Sequence, residues 1–478
     1  MNTDAAVAAA RAHRDAAGAA ILGRFAELLA IRNVAADPDG LQRTAEWIRD
    51  ALDERGARAA LTALPDAPPV VVGRVDGRPG GRVIGIYAHY DGQPADPARW
   101  SSPPFTPTLR DGPGGAVLPF PGPGEPVDPE WRIYARSAAD DRGSILALIE
   151  ALHALGGSPA ATLLFLFEGE EERGSPHLGE YLSLLSGRLA ADLWLVCDGP
   201  VHQSGRPQIS LGVRGVMDLE IEVYGPAGDL HSGHYGNWAP NPADLLARLL
   251  ATMRDDEGRL VVAGAEGPEP DRGALRLAGA VPDPPGMGFP PPGGDSYAAR
   301  LLRPLLNVRG LRSGDVGAAS RNAVPTSAVA SIDVRLVAGQ EPGEVVAAIE
   351  RHVAGEGFHL VEGTPSPETR RAHRRIARVS SEVGYPGVRI PGDDRRVREI
   401  AAAVAAASGE DPVILPSFGG SVPLHHFAEA LGAPPLILPI ANHDNGQHGP
   451  DENLRVANLW YGIDLYAALL GQAEPRSG

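Results

Sequence analysis

The chain has 478 residues, 43% of them hydrophobic and 22% charged, enough apolar material to bury large cores in two or more domains. Its formal net charge of −17 argues against nucleic acid and anionic membrane as partners, while leaving a small substrate unconstrained. A single cysteine, Cys197, excludes an internal disulfide and fits a reducing compartment, and all of the basic charge is arginine.

At the N-terminus, Asp4, Arg11, Arg14 and Asp15 interrupt a run of alanines, which reads as an amphipathic helix and not as a signal peptide. No stretch is long and apolar enough to span a bilayer, so the expected location is cytoplasmic. Helical periodicity covers residues near 5–30 and 40–56, and Pro69-Val-Val-Val-Gly73 is a short apolar run. The segment 82–94 reads as a strand ending in His89 and Asp91. Residues two apart on extended backbone point the same way, so Asp91 can reach the second imidazole nitrogen of a metal-binding His89 and fix its tautomer. Taken alone, the pair is weak evidence and reads more readily as a satisfied structural histidine.

Residues 101–130 are crowded with proline and glycine and predict a surface excursion with little regular structure. It leads into Asp140-Asp141-Arg142-Gly143 and a helix. An aspartate at a helix start satisfies free backbone donors, but an N-cap needs only one acid. Next, Leu163-Leu-Phe-Leu-Phe167 predicts a buried strand of a mostly parallel sheet, followed by Glu168-Gly-Glu-Glu171-Glu172-Arg-Gly-Ser175. The acids begin where the strand stops, at the sheet edge where open α/β folds bind ligands. Adjacent carboxylates repel unless a cation neutralises them or one holds a proton, so Glu171-Glu172 reads as a metal ligand beside a general base; the alternative is a solvated acidic turn. A further strand, 190–197, ends in Asp198.

Three strand ends therefore carry His89, Glu171-Glu172 and Asp198, with Asp140 at a helix start between them. One histidine among several carboxylates suits zinc or manganese, and a bridging carboxylate allows two ions side by side. A further ligand is offered by the segment 441–453, where His448 is favoured over His443 because its glycine-rich loop follows the apolar run 436–440 and precedes a helix.

Between these pieces, 216–224 and 328–337 alternate like half-exposed antiparallel strands, Asn241-Pro242 opens an amphipathic helix, and 344–352 looks helical. With a Pro/Gly-rich excursion near 263–297, this predicts a small α+β sandwich inserted into the larger fold. The chain returns to the first domain near 390, and Phe418-Gly-Gly420-Ser421-Val-Pro423 is a glycine loop whose backbone donors and hydroxyl could hold a carboxylate.

The ordered set Ala88-His89-Tyr-Asp91, Asp140-Asp-Arg-Gly143, Glu168-Gly-Glu-Glu171-Glu172-Arg-Gly-Ser175, Asp198, Asp229-Leu-His231-Ser-Gly233 and His448-Gly-Pro-Asp-Glu-Asn453 resembles the dizinc metallopeptidases of the carnosinase, carboxypeptidase G and aminoacylase group. It looks most like the cytosolic dipeptidase branch. The resemblance implies an α/β, zinc-peptidase-like catalytic domain over 1–211 and 390–478, with an inserted α+β, ferredoxin-like lid and dimerisation domain over 212–389. It implies His89 and Asp198 on one metal, Glu172 and His448 on the other, and Asp140 bridging both. Glu171 is then the general base, Asp91 the partner of His89, and the Asp140–Asp141 peptide bond cis. His231 is expected to stabilise the oxyanion from the partner subunit of a homodimer. Arg335, for which a lid salt bridge is an equal alternative, is expected with Ser421, Gly420 and Asn322 at the substrate.

Two departures stand out. Arg142 replaces the lysine of the Asp-Asp-Lys-Gly pattern, which the absence of lysine throughout explains, and Arg321-Asn322 replaces Lys-Thr, which bears on substrate contacts. The resulting expectation is a hydrolase with two divalent ions, zinc first and manganese or cobalt next, cleaving the amide bond of a dipeptide or similar small substrate with a free carboxylate. An N-acyl-amino-acid deacylase is the alternative within the enzymes. A non-catalytic dimeric binding protein is the alternative outside them, disfavoured by the presence of Glu171.

Overall fold

The computed structural model describes residues 2–284, 288–289, 293–382, 384–432 and 435–472. Two compact units result: Met1–Leu211, Ile390–Leu415 and His426–Gly478 form the first, and Gly212–Arg389 with Pro416–His425 form the second. The glycine loop near 420, which sequence reasoning placed in the first part with everything after 390, packs with the second unit instead. Its backbone makes bonds there, Phe418 N–H donating to Gly212 O at 2.7 Å.

The first unit is built on a sheet of eight described strands in the order 58–62, 70–75, 162–168, 83–89, 193–196, 436–437, 208–210, 413–415. It is mixed. The strands that matter for the site, Val83–His89, Thr162–Glu168 and Leu193–Val196, are parallel neighbours. Antiparallel pairs lie outside this centre, where 70–75 meets 162–168 and 58–62 meets 70–75. Val83–His89 and Thr162–Glu168 are buried along their whole length, which is why both read as continuous apolar runs and not as alternations. Because the three central strands run the same way, their carboxyl ends share one edge.

Helices Thr3–Ala30, Arg142–Ala154, Arg395–Ser408 and Val456–Leu470 pack against one another. The last is buried nearly throughout, as an all-round apolar helix must be. Residues 101–130 are mostly turns, but they also supply two short strands, Thr108–Arg110 and Val117–Leu118. These join Arg132–Tyr134 and Asn453–Arg455 in a four-stranded sheet.

In the second unit, strands Gly215–Tyr224 and Ser327–Leu336 pair antiparallel with burial that alternates along both until Val223 and Tyr224, which are both buried. One face, carrying Met217, Leu219, Ile221, Val223, Ala330, Ile332 and Val334, packs on Leu246 and Leu249 of helix Pro242–Thr252 and on Val345, Ile349 and Val353 of helix Pro342–Gly355. The order 305–313, 327–336, 215–224, 376–381, 359–360 completes an α+β sandwich. Asn241 caps the first of those helices by accepting from Ala243 N–H at 3.0 Å, with Pro242 inside the first turn.

Two residues at the start of helix Arg142–Ala154 depart from simple capping logic. Asp141 makes no cap hydrogen bond, and its carboxyl is fully buried, which holds its pKa well above the usual carboxylate range. Arg142 is fully buried. Its guanidinium donates to Leu28 O at 2.5 Å, Ile31 O at 2.9 Å, Thr44 Oγ1 at 2.8 Å and Tyr90 O at 3.2 Å. It thereby ties the end of the N-terminal helix and the segment after the His89 strand to one point. Arg142→Met keeps the stem but leaves these acceptors short of donors, so stability to denaturant should fall by about 2–4 kcal/mol. A loss below about 0.5 kcal/mol would contradict this anchoring role.

Candidate metal centre

The acid run after Phe167 divides by direction. Glu168 turns into the interior, where its Oε1 accepts from Tyr87 OH and from Ser175 Oγ at 2.8 Å; burial raises its pKa to about 7. Glu170 accepts from the backbone and ring of His177, each at 2.9 Å. Only Glu171 and Glu172 remain at the sheet edge.

Asp91 holds them there. Its Oδ1 accepts from Glu171 N–H at 3.2 Å and its Oδ2 from Glu172 N–H at 3.1 Å, while Oδ1 also lies 3.3 Å from His89 Nδ1. That contact leaves His89 Nε2 facing Asp140 Oδ1 at 2.8 Å. The other oxygen of Asp140, Oδ2, lies 3.2 Å from His448 Nε2, and Glu172 Oε2 is 3.3 Å from the same nitrogen. Ligand atoms of His89, Asp140 and Asp198 lie within 4.8 Å of one another, and so do those of Asp140, Glu172 and His448. Asp140 belongs to both groups, with one oxygen turned to each. The Asp140–Asp141 peptide bond is cis. His448 has a φ of 63°, a strained left-handed value for a non-glycine residue. At 56% side-chain exposure it is where the cluster meets solvent.

The electrostatics fit divalent cations. Burial first, then the neighbouring acids, pushes the pKa of Glu172 up to about 7 and that of Asp198 up to about 6, and Glu171 is raised for the same reasons. Burial opposes charge on His89, yet its contacts with Asp140 and Asp91 prevail and raise it, and the Asp140 contact likewise raises His448. Asp140 is held below its usual range by the two histidines in spite of its burial. Carboxylates crowded this closely need protons or cations as counter-charge, and two histidine nitrogens with carboxylate oxygens form a donor set for zinc-like ions.

Two residues of this centre were not singled out from sequence. Gln93 Nε2 donates to Glu172 Oε2 at 2.7 Å, and Gln447 Nε2 lies 3.5 Å from Asp140 Oδ2. Both sit next to assigned residues in strand-end loops, a proximity that could have marked them.

The remaining site candidates lie in the second unit. His231 stands exposed on the ribbon formed by 230–231 and 323–324, beside Asn322, whose carbonyl accepts from Ser232 N–H at 3.0 Å. Gly233 N–H donates to His231 Nδ1 at 3.1 Å, which places the ring proton on Nε2. Arg335 pairs with Asp333 at 3.1 Å and donates to Ser421 Oγ at 2.8 Å. Arg214, also missed from sequence, donates from Nε and Nη2 to Gly419 O at 3.2 and 2.9 Å, fixing the loop that carries Gly420 and Ser421. No described helix is long and apolar enough to cross a membrane.

Against known proteins, the family model described as Peptidase family M20/M25/M40 matches residues 85–472. The Cys-Gly metallodipeptidase dug1 of Schizosaccharomyces pombe is 26% identical over 426 residues, spanning 84% of this chain and 81% of that protein. The cysteinylglycine-S-conjugate dipeptidase of Corynebacterium striatum is 26% identical over 436 residues, spanning 87% and 86%. The crystal structure of an M20 family metallo-carboxypeptidase from Sulfolobus solfataricus aligns with a TM-score of 0.74 at 25% identity, covering 95% of this chain and 99% of that one.

The titration of the cluster predicts a pH dependence. Glu172, Asp198, Glu171 and the two histidines have raised folded-state values, so the metal-free protein binds these protons more tightly than the unfolded chain. Its melting temperature should therefore rise as pH falls from about 8 to about 5.5, while uptake of zinc or manganese, which must displace those protons, weakens over the same range. Asp140 titrates far below this window. Metal uptake that is flat across it would contradict the assignment of these acids as ligands.

Proposed function

The chain belongs to peptidase family M20/M25/M40, and from that premise we propose that it is a metal-dependent dipeptidase hydrolysing the amide bond of small peptides with a free C-terminal carboxylate. The observation that carries the reading is Asp140, with one oxygen turned to the His89 group and the other to the His448 group, as a bridging ligand requires. The names of the relatives, two dipeptidases and a metallo-carboxypeptidase, support the substrate class.

In this reading His89 and Asp198 would hold one divalent ion, Glu172 and His448 the other, and zinc suits the donor set best. When bound, two such cations would lower the pKa of a nearby water and polarise the scissile carbonyl. Glu171, anchored through its backbone by Asp91, takes the proton from the attacking water and later delivers it to the leaving nitrogen. Asp91 keeps the proton of His89 on Nδ1, leaving Nε2 as the ligand atom. His231, with Nδ1 occupied by Gly233 N–H, offers Nε2–H to the developing oxyanion, acting in trans in a homodimer assembled through the second unit, the lid. Arg335 and Ser421 bind the substrate carboxylate beside Gly420, and Asn322, next to His231, contacts the substrate. The protein works in the cytoplasm.

The test is turnover of a dipeptide panel beside a panel of N-acetyl amino acids. Wild type should hydrolyse dipeptides. Glu171→Gln should keep about two ions per chain while kcat falls by about 10²–10⁴-fold. Exclusive turnover of the acylated panel, or an active Glu171→Gln protein, would overturn the proposal.

A further inference from the structure

The segment between strand Arg132–Tyr134 and helix Arg142–Ala154 carries Asp140 on backbone that follows no regular pattern, and Ser137 within it has a φ of 64°. Such backbone persists only when its surroundings determine it. Here one side chain does most of that. Glu452, fully buried, accepts from Ala139 N–H at 2.9 Å and Asp140 N–H at 3.0 Å on Oε1, and from Ser137 N–H at 2.9 Å on Oε2. Oε2 also accepts from Arg136 Nη1 at 2.8 Å. Three peptide donors of one short loop thus converge on one carboxylate.

Glu452 also belongs to the loop that carries His448. Its main chain holds the same segment, its carbonyl accepting from Ala135 N–H at 3.1 Å. Asn453 pairs with Tyr134 in the adjacent strands, and Arg136 Nη2 reaches back to Gly449 O at 3.1 Å. The two loops supplying Asp140 and His448 are therefore clamped to each other through Glu452 and Arg136. Across the two clamped loops, Asp140 Oδ2 and His448 Nε2 lie 3.2 Å apart.

Resting on the dimetal reading above, we infer that Glu452 is a positioning residue of the metal centre. Its carboxylate fixes the backbone of Asp140 and the distance from Asp140 to His448, so that metal affinity depends on it although it touches no ligand side chain. A buried ion pair with Arg136 for stability alone would not need three convergent peptide donors from the Asp140 loop. Glutamine, of nearly the same shape, cannot replace it. Its amide nitrogen would point a donor at Arg136 or at the peptide N–H groups, leaving donors facing donors.

The experiment is competition titration of zinc against a chromophoric chelator, with the full chain stripped of metal, on wild type, Glu452→Gln and Arg136→Met, each with a thermal melt of the metal-free form. Wild type should bind two ions. In Glu452→Gln at least one affinity should fall by about 10–100-fold, the range for loss of a group that orients a ligand. Arg136→Met, which keeps the three peptide contacts, should show a smaller fall of at least about threefold, and it decides the matter if Glu452→Gln does not fold. A purely structural role predicts lower metal-free melting temperatures with both affinities unchanged, and that result overturns the inference. Fewer than two ions on wild type would instead refute the dimetal reading, a distinguishable failure because there the unmodified protein departs from expectation.

Discussion

The constraint on which the structure depends is the crowding of carboxylates at one edge of the sheet. Asp140, Glu171, Glu172 and Asp198 are gathered where three parallel strands end, and burial together with mutual repulsion disfavours the ionised forms of Glu171, Glu172 and Asp198, while the two histidines keep Asp140 charged. Such an arrangement is unfavourable in itself and persists because neighbouring groups hold it. Asp91 grips the Glu171-Glu172 backbone, Glu452 grips that of Asp140, and Arg142 locks the segment after His89 to the N-terminal helices. These buried polar groups each make several hydrogen bonds, the condition under which a polar network rigidifies a site.

Much of this was legible in the sequence, for a physical reason: a buried parallel strand is continuously apolar, so the first charged residue after it marks the sheet edge. That logic located His89, Glu171-Glu172 and Asp198, and the two-residue alternation of 216–224 and 328–337 likewise announced half-buried antiparallel strands. Direction was not legible. Glu168 and Glu170 look like members of the same acid cluster, yet one faces Tyr87 and Ser175 and the other His177. Asp141 looks like a helix cap and bonds no backbone donor. Nor does composition tell that Arg142 is fully buried with four acceptors, or that residues 416–425 pack with the second unit, since both depend on contacts distant in sequence.

In the second unit, two guanidinium groups, Arg214 and Arg335, stand near a glycine loop with Asp333 as the carboxylate paired to Arg335. Burial first, then Arg335, lowers the pKa of Arg214. On the ribbon nearby in sequence, Gly233 N–H donates to His231 Nδ1, which leaves Nε2 as the ring atom free to face a partner.

The most direct test of the central claim is an anomalous-difference map from crystals of the zinc-loaded protein. The account predicts two peaks about 3.5–4 Å apart. One should be flanked by His89 and Asp198, the other by Glu172 and His448, with an Asp140 oxygen turned to each. A single peak, or two peaks without Asp140 between them, would contradict it.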